Sequence, residues 1–221
     1  MIGSRRIKGV SMSRADYTLY ARYNAGSLAP QMVLEEIGAP YQTIWIGTGA
    51  EEVERYRHIN PNAKIPALML PGGTTVYESA AILAYLTQAH PAAGLAPPVG
   101  TAGHALFLQW MVFLSANVYE ALLRYYYPDR YSTLGAAAAE GIQAQALNDY
   151  VRHLEIVHDA LQPYVLGPAF TAADPYLYML ASWYPGGVVA LKDRLPRLTR
   201  HAELVRARPS IRKAEEDHTE R

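Results

Sequence analysis

One stretch, residues 60–86, constrains the fold of this 221-residue chain more than any other. Pro66 stands directly before the apolar run 67–70, and proline is tolerated at the first residue of a strand because it lacks a backbone N–H group. Residues 71–73, Pro-Gly-Gly, supply a tight turn. The β-rich run 74–77 follows the turn. These features predict two short strands joined by that turn.

A helix is predicted directly after the second strand. It starts at Glu78 and Ser79, and its apolar residues recur at helical spacing. These residues are Ile82, Leu83, Tyr85 and Leu86. An acid and a hydroxyl therefore share one helix N-terminus, where free N–H groups favour a ligand carboxylate and the acid suits an ammonium group. Taken alone, the pair is also typical of a helix N-cap.

The combination of Ile65-Pro66-Ala67-Leu68 with Glu78-Ser79-Ala80-Ala81-Ile82 resembles the glutathione-binding half of the cytosolic glutathione transferase family. The resemblance implies that Pro66 is cis and that the backbone of Ile65 pairs with the cysteinyl part of glutathione. It also implies that Glu78 and Ser79 hold the γ-glutamyl end. A cis peptide bond is common only before proline, which agrees with this expectation.

The elements around this stretch predict the fold. A β-rich run at 17–20, a helix from Leu28 to Gly38, a strand at 41–46 and a helix at 51–59 precede it. The resulting order, β-α-β-α-β-β-α, is thioredoxin-like. We therefore predict an α/β thioredoxin-like domain over residues 17–90.

The second half of the chain is predicted to be all-helical. Residues 91–103 lack periodicity and are rich in Pro, Gly and Ala, which indicates a linker between the first domain and a helical domain at 104–221. The segment 105–127 is so apolar that we expect it to be largely buried. Thr171 and Asp174 have the spacing of a capping box, which the resemblance places at the start of a buried helix.

Composition excludes several classes of function. The chain has no Cys and a formal net charge of zero, so it offers no thiol nucleophile of its own and no electrostatic footprint for nucleic acid. We find no uninterrupted run of about 18 apolar residues, and we expect no membrane span. The absence of a His-x-x-x-His pair argues against a metal site. Residues 1–16 form a basic extension that we expect to be disordered, with Met12 as a candidate natural start in a cytoplasmic protein.

Glutathione chemistry requires a group that stabilises the thiolate, since a free thiol has a pKa of about 8.5. Ser27, at the start of the first predicted helix, is the first candidate by resemblance to serine-type members. Tyr20 falls where tyrosine-type members keep their phenol, and Asn24 is a third candidate. Ser27 as a plain N-cap and Tyr20 as a core strand residue are the structural alternatives. Cysteine-type bacterial members place their cysteine where this chain has Gly26.

A pocket for the electrophile is expected on the first long helix of the helical domain. Tyr119 and Tyr126 are its candidate residues, with Arg124, Tyr125, Tyr127 and Trp183 as further members. Three consecutive tyrosines cannot share one helix face, so we expect at least one of them to meet solvent, a partner or a ligand. Cysteine-type bacterial members carry a histidine near the position of Tyr119, and the tyrosine here argues against their particular thiol chemistry.

The function implied by the resemblance is that of a homodimeric glutathione S-transferase. Its co-substrate is glutathione, whose thiol attacks a small hydrophobic electrophile, and no metal takes part. Other glutathione-dependent reactions on the same site, namely isomerisation, peroxide reduction and dehalogenation, remain alternatives. A non-catalytic binding or regulatory module of the same fold is the alternative from a different class.

Overall fold

The structure is a computed structural model that describes residues 17–219, and the predicted extension at 1–16 lies outside them. The first half of the described chain alternates strands and helices. Its elements are β1 (Tyr17–Ala21), α1 (Leu28–Ile37), β2 (Tyr41–Trp45), α2 (Ala50–Tyr56), β3 (Ala67–Met69), β4 (Thr75–Tyr77) and α3 (Ser79–Ala89). This is the β-α-β-α-β-β-α order that the sequence predicts.

Within the described residues, the strands form one mixed sheet in the order β2-β1-β3-β4. β1 runs parallel to β2 and antiparallel to β3, and β3 and β4 form the predicted hairpin. Successive side chains of a strand point to opposite faces. Leu19 and Leu68 accordingly belong to the main core together with Val33 of α1, while Tyr20 packs on Tyr56 of α2.

The helical half follows a proline-rich connection that contains one 3₁₀ turn, Pro91–Ala93. Its elements are α4 (Ala102–Phe113), a π-helical segment (Leu114–Tyr119), α5 (Glu120–Tyr126), α6 (Ala136–Ala160), α7 (Ala173–Ser182), α8 (Pro196–Arg206) and α9 (Pro209–Asp217). The first of these helices begins two residues before the predicted start of the helical domain at residue 104, because Thr101 caps it by accepting a hydrogen bond from the backbone N–H of His104 at 3.2 Å.

The segment 102–126 is only partly buried, and the prediction that 105–127 is largely buried was wrong. Phe107 and Met111 lie in the core, whereas Leu106, Leu108 and Val112 are 52%, 40% and 61% exposed. A straight helix packed along one side leaves its other face uncovered. By length and composition the segment is also apolar enough to cross a membrane, a test that core helices of soluble proteins pass as well. Its inner face here packs against the other helices.

The start of α7 is anchored by the fully buried carboxylate of Asp174. Its oxygens accept hydrogen bonds from the backbone N–H groups of Thr171 at 2.7 Å and Val165 at 2.8 Å, and from the Thr171 hydroxyl at 3.1 Å. Nε2 of His201 lies 3.0 Å from the same carboxylate. The predicted reach-back from Asp174 to Thr171 is confirmed. This anchor holds α7, which carries Tyr176 and ends at Ser182, directly before Trp183.

Candidate functional site

Groups from three separate parts of the chain converge on Gly26, in the loop between β1 and α1. A Cβ atom built on Gly26 would lie 2.6 Å from the hydroxyl oxygen of Tyr119, 3.4 Å from Cδ of Pro66 and 3.4 Å from the hydroxyl oxygen of Ser79. The Ser79 hydroxyl points to the Gly26 carbonyl at 3.5 Å. The N-terminus of α1 therefore opens onto a small polar concavity.

The loop before β3 is held rigidly next to this concavity. The Ile65–Pro66 peptide bond is cis, as the resemblance implies. The carbonyl of Lys64 accepts hydrogen bonds from the amide of Asn60 at 2.7 Å and from the hydroxyl of Tyr56 at 3.2 Å. The hydrogen bonds from these two buried side chains hold the Lys64 carbonyl in place, so the backbone of Ile65 has a defined position just before β3.

Glu78 lies exposed at the N-terminus of α3, and its backbone has φ 74° and ψ 116°. Such a conformation is strained for a residue with a side chain and is typical of ligand-binding positions. Ser79, the first residue of the helix, is 5% exposed and faces Gly26. Glu78 therefore presents its carboxylate at the protein surface, and Ser79 presents its hydroxyl inside the concavity.

Ser27 does not face the concavity. Its side chain is fully buried, and its hydroxyl donates to the Arg22 carbonyl at 3.2 Å while it accepts from the Arg22 N–H at 3.2 Å. Ser27 occupies the N-cap position of α1, as the alternative proposed, but within the described residues its hydroxyl makes no capping bond to the helix. The hydroxyl closes the loop 22–27, which the sequence signal for a helix start did not reveal.

The other two candidates for the thiol-facing group lie on different sides of the loop. Tyr20 is 8% exposed, and its ring lies 5.9 Å from that of Tyr56, in the core between the sheet and α2. This is the core strand position that we considered as the alternative for it. Asn24 is exposed, adopts φ 51°, and lines a cavity on the far side of the loop.

Tyr119 reaches Gly26 from the last residue of the π-helical segment. π-Helical turns are rare and occur often at functional sites, because the extra residue per turn redirects the side chains that follow. The ring lies 5.6 Å from that of Trp183. Burial raises the pKa of the Tyr119 phenol above its ordinary value, and the charges of Tyr127 and Glu78 act in the same direction. The phenol is therefore neutral over the physiological pH range.

Tyr176 of α7 is a neighbour of this group that the sequence analysis missed. It is fully buried, and burial raises the pKa of its phenol, with Tyr119 and Glu78 adding to the shift. The nearby side chains of Ser115 and Ser79 oppose this rise in pKa, although the Tyr176 hydroxyl makes no hydrogen bond within the described residues. Its apolar context in the sequence resembles any core tyrosine, so only the packing of α7 shows its place beside the concavity.

A cavity of about 860 Å³ lies between the start of α1 and the C-terminal helices. Leu28 and Trp183 line it, together with charged residues of α8 and α9 and two residues that follow α9. The charged residues are Glu203, Arg206, Arg212, Glu215 and Glu216. Because the ring of Trp183 also packs on Tyr119, this wall of the cavity adjoins the concavity at Gly26.

The candidate pocket residues occupy other positions. The cavity wall does not include Tyr119 or Tyr126 among the described residues. Tyr126 donates its hydroxyl proton to the carbonyl of Trp183 at 2.6 Å, and it therefore supports the cavity from behind. Tyr126 and Tyr127 are 48% and 43% exposed, which confirms that the tyrosine run meets solvent. Residues 17–219 contain no group of three or more metal-ligating side chains.

Comparison with known proteins identifies relatives for both halves of the chain. A family model for the N-terminal domain of glutathione S-transferases matches residues 27–89. The GST-like protein YncG of Escherichia coli (strain K12) is 31% identical over 168 residues, which cover 73% of this chain and 78% of that protein. Glutathione S-transferase GstA of Escherichia coli O157:H7 is 25% identical over 170 residues, covering 75% and 81%. The crystal structure of a glutathione transferase homologue from Sulfitobacter with bound glutathione has a TM-score of 0.83 at 28% identity, covering 92% and 98%.

Proposed function

This chain belongs to the glutathione S-transferase family, and we propose on that basis that it binds glutathione beside α1 and joins its sulfur to a small hydrophobic electrophile. The observation that carries the proposal is the convergence of Pro66, Ser79 and Tyr119 on Gly26 at the N-terminus of α1. The glutathione-bound homologue from Sulfitobacter, at a TM-score of 0.83, supports the same ligand.

Two parts of the tripeptide, the cysteinyl residue and the γ-glutamyl end, have matching groups on this chain. The backbone of Ile65 suits the cysteinyl portion, because the amide and carbonyl of an extended segment pair with another extended segment. The N-terminus of α3 and the hydroxyl of Ser79 suit the γ-glutamyl carboxylate, and the exposed carboxylate of Glu78 suits its ammonium group. A strained backbone at Glu78 is consistent with a position kept for binding.

The free energy needed to activate the thiol is within reach of this site. Lowering a thiol pKa by two units requires about 2.7 kcal/mol. A helix N-terminus supplies about 0.3–1 kcal/mol when exposed and up to about 2 kcal/mol in partly buried geometry. A hydrogen bond from a hydroxyl to the charged sulfur supplies about 1.5–3 kcal/mol. Together these terms suffice without a metal or a covalent enzyme intermediate.

The reaction joins sulfur to carbon and releases a leaving group. When the electrophile is an aromatic halide, a carbon–sulfur bond forms and the carbon–halogen bond breaks, so halide departs with the electron pair. The thiol proton passes to solvent when the thiolate forms. Holding the two reactants side by side supplies most of the remaining acceleration. The cavity wall formed by Leu28 and Trp183 offers the apolar surface for the electrophile.

Calorimetric titration with glutathione tests the binding step. We expect wild-type protein to bind, and we expect Glu78→Gln to weaken binding by roughly tenfold or more, since loss of a charge-assisted bond is worth about 1.5–3 kcal/mol. Glu140→Gln, on the exposed surface of α6, is the matched control and should bind like wild type. A wild-type protein that takes up no glutathione would overturn the proposed function.

Thiolate absorbance against pH and an aromatic halide assay then test the chemistry. A transferase lowers the thiol pKa of bound glutathione and forms the conjugate. If wild-type protein lowers the thiol pKa but leaves the halide unchanged, the alternatives on the same site are favoured: isomerisation, peroxide reduction and dehalogenation. Each of these is assayed with its own substrate class.

A second candidate function, a non-catalytic glutathione-binding module, rests on one specific observation. The loop before α1 has no side chain at Gly26, and the hydroxyl of Ser27 is engaged within the loop. Glutathione binding without a lowered thiol pKa would support this module and contradict the transferase.

We further propose that the protein is cytoplasmic and forms a homodimer. The cytosol maintains the reduced glutathione that the site requires.

The exposed apolar side chains of Leu106, Leu108 and Val112 on α4 supply a surface for a second copy of the chain, as expected of an unpartnered apolar stripe. Light scattering of wild type against Val112→Glu tests this: we expect a dimer for the former and a weakened dimer for the latter. A monomeric wild type would contradict it.

A further inference from the structure

The structure leaves the glutathione thiol without the partner that the sequence analysis favoured. The hydroxyl of Ser27 is buried and bonded on both sides to Arg22. Tyr20 lies in the core against α2, and Asn24 turns toward the large cavity. The neighbours of Gly26 are therefore the groups to consider.

Resting on the proposed function, we propose that Tyr119 donates the hydrogen bond that stabilises the glutathione thiolate, and that Gly26 lacks a side chain because the Tyr119 hydroxyl occupies that space. The hydroxyl lies 2.6 Å from the position of a Gly26 Cβ, far inside contact distance. The same Cβ position lies 3.4 Å from Cδ of Pro66 and 3.4 Å from the hydroxyl oxygen of Ser79, residues of the segments assigned to the cysteinyl and γ-glutamyl parts of the ligand.

The need for glycine at position 26 is one of space rather than backbone conformation. Nine other glycines of the described chain adopt positive φ, and Gly26 is not among them. Any residue could therefore adopt its backbone angles, and the Tyr119 hydroxyl is what a side chain would strike. Gly26 and Tyr119 thus form a matched pair, a small residue in the loop and a long one opposite.

The Tyr119 phenol is suited to act as a donor. It is neutral at physiological pH because burial, Tyr127 and Glu78 all raise its pKa, and Tyr176 is the other titratable group beside it. Within residues 17–219 its hydroxyl makes no hydrogen bond, so the proton is available to a ligand. Tyr119 is the last residue of the π-helical segment, and its ring packs against that of Trp183. Because the ring is already held in place, little side-chain entropy is lost when a ligand binds.

Tyr119→Phe tests the proposal directly, because it removes only the hydroxyl. Calorimetry should show glutathione binding retained. The thiol pKa of bound glutathione should rise by about one unit or more, with kcat/KM at pH 7 falling at least about tenfold. The fall should shrink at high pH, where the thiolate forms without assistance. Tyr131→Phe, an exposed phenol outside the site, is the matched control and should behave like wild type.

The outcomes separate this inference from the proposed function. If wild type and Tyr119→Phe both fail to bind glutathione, the proposed function falls. If both bind and show the same lowered thiol pKa, only the role of Tyr119 is overturned. Wild-type binding with an unshifted thiol pKa also overturns that role.

Gly26→Ala supplies an independent test of the pairing. Its methyl group should displace the Tyr119 hydroxyl and raise the bound thiol pKa much as Tyr119→Phe does. In the double variant, the phenol oxygen that the methyl would strike is gone, so Gly26→Ala should cause little further loss. Additive losses in kcat/KM would contradict the proposed contact. If Gly26→Ala does not fold, the pKa comparison between wild type and Tyr119→Phe still decides the proposal.

Discussion

Ser27→Ala is expected to weaken the fold while leaving the bound thiol unaffected. The hydroxyl makes two bonds to the backbone of Arg22, one as donor and one as acceptor, each at 3.2 Å, in a fully buried position. A neutral hydrogen bond contributes about 0.5–1.5 kcal/mol, and a buried polar group left unsatisfied costs about 1–3 kcal/mol. We therefore expect the free energy of unfolding to fall by about 1–3 kcal/mol.

Urea unfolding and thiolate titration measure the two effects separately. With a urea dependence of about 1–3 kcal/mol per molar, the midpoint of unfolding should fall by about 1 M. The thiol pKa of bound glutathione should equal that of wild type. Ser132→Ala, in an exposed turn, is the control and should shift the unfolding free energy by less than about 0.5 kcal/mol. A thiol pKa raised by one unit or more, with stability unchanged, would return the thiol-facing role to Ser27.

Two further predictions concern the helical half. Asp174→Ala should lower the unfolding free energy by about 3–5 kcal/mol, because it leaves three donors and the buried His201 without their acceptor. Asp159→Ala, at an exposed site, should change the unfolding free energy by less than about 0.5 kcal/mol, and equal losses would refute the anchor. Burial lowers the pKa of His218 from 6.5 to about 4, so the unfolded state takes up the proton first. The free energy of unfolding should therefore fall by about 3 kcal/mol as pH drops from about 6.5 to about 4. In the His218→Phe variant this part of the pH dependence should be missing. Identical pH profiles of unfolding free energy for wild type and variant would contradict the role of His218.

The order of elements in the first half could be predicted from the sequence because its signals are local. The turn at 71–73, the strand after Pro66 and the helix start at Glu78 each depend on residues a few positions apart. Burial of the segment 102–126 could not be predicted in the same way. Its composition is apolar throughout, and which face is covered depends on where α6 and α7 pack.

The candidate site divides along the same line. The predicted glutathione-binding residues lie in a single continuous stretch, so the family resemblance that implies Ile65, Pro66, Glu78 and Ser79 is visible in the sequence alone. The sequence analysis could not show that the Ser27 hydroxyl bonds to the backbone of Arg22, because Ser27 satisfies the preference for a helix start whether or not its hydroxyl is free. No local signal distinguishes a serine that closes a loop from one that faces a ligand.

The sequence by itself determined the thioredoxin-like order and the place of the loop that ends in cis-Pro66, since both depend on short-range backbone preferences. Tertiary structure decided which hydroxyl stands opposite the helix N-terminus. Gly26 and Tyr119 lie far apart in the chain, and only the packing of the helical half brings the phenol to within 2.6 Å of the position that a side chain on Gly26 would fill. Contacts of that kind depend on how whole helices pack, which no short stretch of residues encodes.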